Sequence, residues 1–206
     1  MTDLQNHPLV ADRLARIRSA SCPPREFRNY LSDIARLLVL PATAHLGTKE
    51  AEVITPLTSM TGQELARPIV LVPILRAGLG FSEPFLQMLP EATVAHYGMM
   101  RDEESLQPEV YLERIPDHIA DSEVFVLDPM LATGGSAIAA IDGLKERGAT
   151  YLHFVCLVAS PEGIRALEES HPDVRITTAA VDEGLNNQGY IVPGLGDAGD
   201  RIFGTL

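Results

Sequence analysis

The stretch that decides the fold is residues 124–136, Val-Phe-Val-Leu-Asp-Pro-Met-Leu-Ala-Thr-Gly-Gly-Ser. Its apolar start predicts a buried strand, and Asp128 stands at the carboxyl end of that strand, where open α/β sheets bind ligands. Two glycines in the turn 133–136 permit positive φ angles that point successive N–H groups at one place, and the turn's hydroxyls add donors. The run 137–141 begins a helix, whose amino end favours an anion. A flexible βα turn is the alternative for a bare Gly-Gly pair, but this context favours a phosphate site.

Asp128 is poorly suited to hold phosphate directly, because two anions repel. A carboxylate at this point suits ribose hydroxyls, or a Mg²⁺ ion that bridges to phosphate oxygens. The site is therefore predicted to take a phosphorylated ribose together with a metal ion. We set a Walker-type nucleotide loop aside, since the turn holds no Gly-Lys-Ser or Gly-Lys-Thr and no lysine occurs between Lys49 and Lys145.

The segment Asp128–Ser136 resembles the phosphoribosyl pyrophosphate (PRPP) loop of type I phosphoribosyltransferases, and of uracil phosphoribosyltransferases in particular. The resemblance implies that the whole loop binds PRPP, through Asp128, Pro129, Met130, Leu131, Ala132, Thr133, Gly134, Gly135 and Ser136. Most members of that family carry two acidic residues where this chain has Asp128-Pro129. The proline excludes a second carboxylate there, so another residue must help to hold the ribose or the metal.

Length and composition suit one compact domain, because 206 residues with 46% apolar content can bury a sizeable core. The formal net charge of −12 opposes non-specific attraction to nucleic acid or to an anionic membrane. A polyanionic small substrate must then be met locally by a few arginines, backbone donors and metal. Residues 1–8 lack the features of a secretory signal and no apolar stretch approaches membrane-spanning length, so we expect a cytoplasmic protein.

Short apolar runs alternate with helix-like segments over the middle of the chain. Strands are predicted at 69–73, 93–97, 124–127, 152–158 and 174–180, and helices at 79–88, 137–147 and 161–170. Strands that alternate with helices predict an α/β fold with a mostly parallel, twisted sheet flanked by helices. The family resemblance implies the type I phosphoribosyltransferase version of that fold.

Three segments fall outside this alternation. Residues 1–50 are predicted to form a helical wrap around the sheet, with an amphipathic helix that ends before Pro41. Residues 101–118 are charged and non-periodic, which suits a β-hairpin flap and equally a solvated surface loop. Residues 184–206 are a glycine-rich tail without periodicity. We assign all of them to one domain, 1–206.

Two arginines follow predicted strands at the edge of the sheet that holds Asp128. Arg76 lies in Ile-Leu-Arg-Ala-Gly-Leu, residues 74–79, which is similar to the pyrophosphate-binding loop of uracil phosphoribosyltransferases. Arg101 corresponds in the same way to the family's second phosphate-contacting arginine. The resemblance implies that Arg76, Arg101 and Asp128 are catalytic. From the residues alone, a surface charge at Arg76 and a surface salt bridge at Arg101 are the alternatives.

The run 190–201 is rich in glycine and holds a proline, which predicts neither a regular helix nor a central strand. Such a run offers main-chain groups, and N–H, C=O and N–H in order match the carbonyl, N–H and carbonyl edge of uracil. By resemblance, Ile191, Gly196 and Ala198 contribute these uracil contacts, so the tail forms a base-binding hood. Asp197, within the same uracil-binding run, joins the PRPP and Mg²⁺ site. The alternative is a disordered tail.

The resemblance extends from about residue 7 to residue 206 and implies transfer of the 5-phosphoribosyl group from PRPP to uracil N1. The products are UMP and pyrophosphate, in pyrimidine salvage. It also implies Mg²⁺ as cofactor, a homodimer or higher homo-oligomer and, as in some members, a GTP effector, for which the sequence carries no motif. Two alternatives stay open. One is an RNA-binding regulator of pyrimidine operons, which the acidic charge and the Asp128-Pro129 pair disfavour, and the other is a phosphoribosyltransferase for another base.

Overall fold

Strands and helices alternate along the part of the chain that the computed structural model describes, residues 1–101 and 108–205. The strands in these ranges are β1 (Thr2–Asp3), β2 (Thr48–Ile54), β3 (Ser59–Leu65), β4 (Ile69–Leu75), β5 (Thr93–Val94), β6 (His96–Arg101), β7 (Pro108–Arg114), β8 (Glu123–Leu127), β9 (Met130–Leu131), β10 (Tyr151–Ala159), β11 (Arg175–Val181), β12 (Gly184–Leu185) and β13 (Ile191–Val192). The helices are α1 (Pro8–Arg18), α2 (Pro24–Thr43), α3 (Leu79–Met88), α4 (Gly135–Glu146), α5 (Pro161–Ser170) and α6 (Ala198–Phe203), with a 3₁₀ helix at Asp117–Asp121. None of the described helices is long and apolar enough to cross a membrane.

The main sheet is mostly parallel, as the sequence predicts. Its strand order is β1-β11-β10-β8-β4-β6-β7, with β5 beside β4 and β9 beside β10. Each described pairing in it is parallel except that of β6 with β7. Pro73 near the end of β4 pairs with Leu127 at the end of β8. The loops that follow these two strands therefore meet at one edge of the sheet.

Helices cover both faces of the sheet, and the side chains of β8 pack alternately against the helices on one face and on the other. Phe125 and Leu127 pack into a core shared with α1, α2, α3 and α6, whereas Val124 and Val126 pack into a second core with α4 and α5. All four side chains are fully buried. Side chains alternate across a strand, so a continuous apolar run is what a strand buried on both faces requires. Burial of each such side chain contributes about 1.5–3 kcal/mol.

The first 50 residues are not wholly helical, so the prediction of a helical wrap is wrong in part. β1 adds to the sheet beside β11, and β2 begins at Thr48 and pairs with β3 in an antiparallel hairpin that the sequence did not suggest. Helix α2 also continues through Pro41 to Thr43 instead of ending before it. Proline removes a helical N–H donor, but Val39 and Ala42 are buried at this end, and their packing keeps the helix intact.

The predicted flap is a β-hairpin whose bounds differ from 101–118. β6 and β7 pair from His96 opposite Arg114 to Arg101 opposite Pro108, so the hairpin begins five residues earlier along the chain and ends before the 3₁₀ helix. The backbone of Arg101 is the last position of β6. The tip of the predicted flap, 102–107, lies outside the described residues.

The glycine-rich tail holds regular structure, and its helix α6 corrects the prediction that the run 190–201 forms no regular helix. β12 and β13 form a two-stranded antiparallel ladder, and α6 begins at Ala198. The helix starts there because the Asp197 carboxylate accepts a hydrogen bond from the Asp200 N–H at 2.9 Å. The cap and the helix it starts are close together in the sequence. The helix was nevertheless not predicted, because the surrounding glycines disfavour helical structure.

Candidate active site

A cavity of about 660 Å³ opens at the edge of the sheet where β4 and β8 end. It is lined by the loop after β4, the loop between β8 and α4, the loop between β12 and β13, and the start of α6. The predicted site residues that line it are Arg76, Asp128, Met130, Ala132, Thr133, Gly135, Ser136, Ile191, Gly196, Asp197 and Ala198. The fold thus brings three motifs that are distant in sequence to one place.

Some predicted residues do not line this cavity, and some that line it were not predicted. Pro129, Leu131 and Gly134 are buried beneath the loop surface. The side chain of Arg101 lies outside the described residues, so its phosphate contact stays a prediction. Among residues that the motifs did not single out, the side of the cavity formed between β12 and β13 includes Gln188, Gly189 and Tyr190.

The first half of the phosphate loop is fastened to strand β10. The Pro129 carbonyl accepts hydrogen bonds from the Leu157 N–H at 2.8 Å and the Val158 N–H at 3.0 Å. The Leu131 carbonyl accepts one from the Ser160 N–H at 2.9 Å. Pro129 and Leu131 therefore support the loop from the side of the sheet, which explains why neither faces the cavity.

The second half of the loop presents unpaired backbone donors. Gly134 has a φ of +85°, a left-handed conformation that glycine adopts without strain, and α4 begins at the next residue. No side chain caps this helix, and no described residue accepts from the N–H groups of Ser136 and Ala137. Unpaired N–H groups at the positive end of a helix favour an anion. This geometry is the one that the sequence predicts for a phosphate.

Ser160 supports the loop from behind, a role that the sequence reasoning missed. Its Oγ donates to the Ala132 carbonyl at 2.6 Å and accepts from the Gly163 N–H at 2.8 Å. Gly163 approaches so closely that a Cβ there would lie 2.3 Å from the Ala132 oxygen. Ser160 followed by Pro161 is a recognisable start for helix α5. That this helix start would brace the phosphate loop depends on the tertiary structure.

Asp128 is a partly buried carboxyl group with a raised pKa. The pKa is raised from 3.8 to about 7, mainly by loss of hydration and in smaller part by the nearby Asp197 carboxylate, against the lowering effect of the Met130 N–H that donates to Oδ1 at 3.2 Å. Two carboxylates at one cavity favour a cation beside them. Among the described residues, no group of three or more His, Cys, Asp and Glu could hold a metal ion unaided. A metal here would need further oxygen ligands from a bound substrate.

Arg76 is held at the cavity by an acidic residue of α6. Its Nη2 lies 3.2 Å from Asp200 Oδ1, and Asp200 in turn accepts from the Thr205 hydroxyl at 2.6 Å. The Arg76 side chain is 58% exposed, so this ion pair orients the guanidinium and adds little stability. A guanidinium has five N–H donors, which leaves donors for a phosphate. The sequence carried no signal that would pair Asp200 with Arg76.

The start of α6 presents main-chain groups to the cavity. Gly196, Asp197 and Ala198 all line it. No described residue bonds the Gly196 N–H, the Gly196 carbonyl or the Ala198 N–H. These groups provide two donors and one acceptor, the set that complements a ring edge with two acceptors and one donor. The predicted base-reading run therefore borders the same cavity as the phosphate loop, with backbone groups of Gly196 and Ala198 uncommitted.

The sequence matches a protein-family model described as uracil phosphoribosyltransferase over residues 4–205. The chain belongs to the uracil phosphoribosyltransferase family. The uracil phosphoribosyltransferase of Ligilactobacillus salivarius is 52% identical over 201 residues, which cover 97% of this chain and 96% of the relative. That of Enterococcus faecalis is 51% identical with the same coverage. The family that the segment 128–136 suggested is confirmed.

Solved structures confirm the fold of this uracil phosphoribosyltransferase family member. A protein from Aquifex aeolicus superposes with a TM-score of 0.92 at 37% identity and covers 98% of both chains. A purine phosphoribosyltransferase from Pyrococcus horikoshii superposes with a TM-score of 0.54 at 15% identity, over 75% of this chain and 85% of that one, and shares the fold alone. The type I phosphoribosyltransferase fold is thus confirmed, and the roles of individual residues stay predictions.

Proposed function

We propose that this chain transfers the 5-phosphoribosyl group from PRPP to N1 of uracil, forming UMP and releasing pyrophosphate in pyrimidine salvage. One observation carries the proposal: the phosphate-type turn that follows Gly134 and the uncommitted backbone groups of Gly196 and Ala198 border the same cavity. The first suits a sugar phosphate and the second suits a pyrimidine edge. Membership of the family supports this pair of substrates.

The proposed reaction needs two charges to be stabilised at once. As pyrophosphate leaves, positive charge develops on the anomeric carbon and negative charge on the departing phosphates. Arg76 donates to the pyrophosphate, while Asp128 faces the ribose hydroxyls and the developing cation. Both loops are fastened to neighbouring elements, so the reacting atoms are held in line without a covalent intermediate.

The proposed cofactor is Mg²⁺. Asp128 and Asp197 would hold it together with phosphate and ribose oxygens of PRPP, as Mg²⁺ usually binds through one or two carboxylates and substrate phosphates. The raised Asp128 pKa fits this role, because burial of the carboxyl group and, to a smaller extent, the neighbouring Asp197 carboxylate disfavour its charge, which a bound cation would compensate. When bound, the ion supplies positive charge that offsets the charge of the leaving group. Asp197 supplies the second carboxylate that Pro129 excludes from its own position.

Selection of uracil follows from the backbone of the hood. Uracil presents carbonyl, N–H and carbonyl to the groups of Gly196 and Ala198. Cytosine places an amino donor where the hood also offers a donor, which leaves buried polar groups unpaired at a cost of about 1–3 kcal/mol each. We therefore expect product from uracil and very little from cytosine.

The test is to mix the protein with PRPP, Mg²⁺ and labelled uracil and to look for UMP. Parallel reactions replace uracil with cytosine, hypoxanthine or guanine, and a further reaction omits Mg²⁺. UMP formed only with uracil and Mg²⁺ supports the proposal, and a nucleotide formed from a purine instead would overturn it. A salt-dependent shift of pyrimidine-operon RNA, with no UMP formed, would favour the regulator.

Gly163→Ala is expected to raise the KM for PRPP by about tenfold or more, because the added Cβ would lie 2.3 Å from the Ala132 oxygen and must push the phosphate loop out of position. Overpacking also lowers the free energy of unfolding by about 1–3 kcal/mol. Initial rates at varied PRPP concentration, at a temperature where circular dichroism shows a folded protein, measure the first effect.

The control is Gly47→Ala, where a Cβ would stand 3.8 Å from the nearest side chain, an ordinary contact. It should leave the KM for PRPP within about twofold of the parent. An unchanged KM in Gly163→Ala would show that the bracing of Ala132 by α5 does not set the phosphate loop.

A homodimer or higher homo-oligomer is also proposed, supported by the hairpin of β2 and β3. It exposes several apolar side chains, of which Ile54 and Leu57 are 81% and 95% exposed. Several exposed apolar side chains in one short segment are typical of an interaction site. Leu57→Asp should lower the mass measured by sedimentation equilibrium toward that of one chain, whereas Leu9→Asp, at an exposed position on α1, should not. A parent protein that sediments as one chain would overturn the proposal.

Three further proposals remain. A GTP effector rests on the family resemblance, whereas a cytoplasmic location and one functional domain over 1–206 rest on the length, composition and apolar pattern of the sequence. The first is tested by adding GTP to the uracil assay at subsaturating substrate. A higher rate of UMP formation supports an effector, and an unchanged rate over a wide range of GTP concentrations argues against one.

A further inference from the structure

An ion pair outside the cavity binds the hood at Gly194, in the turn that precedes the proposed uracil-binding groups of Gly196 and Ala198. Arg18, the last residue of α1, donates through Nη1 and Nη2 to the two carboxylate oxygens of Asp182, at 2.7 Å and 2.6 Å. Asp182 follows strand β11, and its N–H donates to the Ala159 carbonyl at 2.9 Å. Its side chain is only 5% exposed, and that of Arg18 is 22% exposed. A bidentate pair this well shielded has a defined geometry.

Both members of the pair also bind the backbone of Gly194. Arg18 Nη1 donates to the Gly194 carbonyl at 2.7 Å, and the Gly194 N–H donates to Asp182 Oδ2 at 2.8 Å. Gly194 has a φ of +58°, and a Cβ on it would lie 2.0 Å from the Ile191 oxygen. The peptide groups on both sides of Gly194 are therefore fixed in a turn that only glycine can make.

The next peptide group is fixed by another arginine, Arg201, which is buried. Arg201 Nη1 donates to the Leu195 carbonyl at 2.8 Å, and Nη2 donates to the Ser19 carbonyl at 2.6 Å. Two consecutive carbonyls of the hood, those of Gly194 and Leu195, are thus anchored away from the cavity. The residue that follows them, Gly196, is the first of the run with uncommitted backbone groups.

We infer that Arg18 and Asp182 are positioning residues that set the register of the base-reading backbone, and so determine the affinity and selectivity for the pyrimidine. The inference rests on the proposed function. Neither residue lines the cavity, so each acts through Gly194. Main-chain groups cannot change rotamer to follow a shifted base. A displacement of about 1 Å at Gly196 would therefore break its hydrogen bonds to the base.

The test is Asp182→Asn, which keeps the shape of the side chain and removes its charge. We expect the KM for uracil to rise by about tenfold to a hundredfold and the KM for PRPP to change by less than about threefold. The ratio of kcat/KM for uracil to that for cytosine should also fall. Hydrogen exchange measured by mass spectrometry should increase in the peptide that covers 194–197, a readout that needs no activity.

Two further variants sharpen the test. Arg18→Lys keeps the charge but loses the bidentate geometry, so its uracil KM should lie between those of the parent and Asp182→Asn. Asp33→Asn removes a more exposed ion pair, at 2.8 Å between Arg13 of α1 and Asp33 of α2, and should change neither KM. If Asp182→Asn does not fold, Arg18→Lys decides the question.

Each outcome is decisive. A uracil KM within about twofold of the parent, in a folded Asp182→Asn, would overturn the inference. Equal rises in the KM for uracil and for PRPP would also overturn it, because they would indicate a structural role without selectivity. If the parent itself forms no UMP, the proposed function fails, while faster hydrogen exchange at 194–197 alone would still support the anchoring of the hood.

Discussion

Asp128→Asn is expected to lower kcat/KM for UMP formation by about 10²–10³-fold while the protein becomes more stable at pH 8. The loss of activity follows because asparagine can still bond a ribose hydroxyl but offers no charge to a metal ion or to the cationic anomeric carbon. The gain in stability follows because the parent buries a carboxylate whose pKa is raised to about 7.

The sign of the pH effect is set by that raised pKa. In the parent, the folded state binds the Asp128 proton more tightly than the unfolded state, so stability is lost as pH rises from about 4 to about 7. The variant lacks this titration. The difference in free energy of unfolding, variant minus parent, should therefore be near zero at pH 4 and grow to about 1–3 kcal/mol at pH 8.

Urea denaturation of both proteins across this pH range measures the difference directly. Asp173→Asn is the control, because Asp173 is an exposed carboxylate paired with Lys145 at 2.7 Å and its pKa is lowered by that partner. The Asp173→Asn protein should gain no stability at high pH and should keep the activity of the parent. Normal turnover in Asp128→Asn would remove Asp128 from the proposed mechanism.

Arg76→Ala is the second prediction with a large effect, a fall in kcat of about 10²–10³-fold at saturating substrate. Arg76 donates to phosphates that gain charge as they leave, so its contribution grows in the transition state and appears in kcat. Stability should change by less than about 0.5 kcal/mol, because the side chain is 58% exposed and its pair with Asp200 is solvated.

Arg16→Ala is the matched control for Arg76→Ala. Arg16 is 54% exposed and pairs with Asp12 at 3.1 Å on helix α1, in the same kind of exposed ion pair but away from the cavity. Steady-state kinetics with both substrates should show the loss in the Arg76 variant alone. If kcat is unchanged and only the KM for PRPP rises, Arg76 binds the ground state and has no special role in the departure of pyrophosphate.

Much of the fold was readable from local patterns. Helices α3 and α5 span the residues predicted for them, and α4 begins two residues early because Gly134 takes the left-handed conformation that starts it. Strand β8 was evident as an apolar run. The predictions were wrong where packing between distant segments overrides local preference. Helix α2 continues through Pro41, and the hairpin of β2 and β3 was not predicted because its sequence has no clear strand pattern.

The candidate site was likewise predictable from the sequence only in part. The phosphate turn was recognisable because its chemistry, an aspartate, two glycines and a helix start, lies within a few consecutive residues. Asp200, Ser160 and the pair of Arg18 with Asp182 were not, since each acts on a segment that is remote in sequence. An arginine or serine alone does not reveal which loop it will hold.

By itself, the sequence determined that a parallel sheet carries a phosphate turn at residues 128–136, because strand burial, glycine conformation and helix initiation depend on neighbours along the chain. Only the tertiary structure decided that the hood borders the same cavity as that turn, and that the pKa of Asp128 is raised to about 7. Desolvation and the repulsion between Asp128 and Asp197 exist only once folding brings these groups together and excludes water from them.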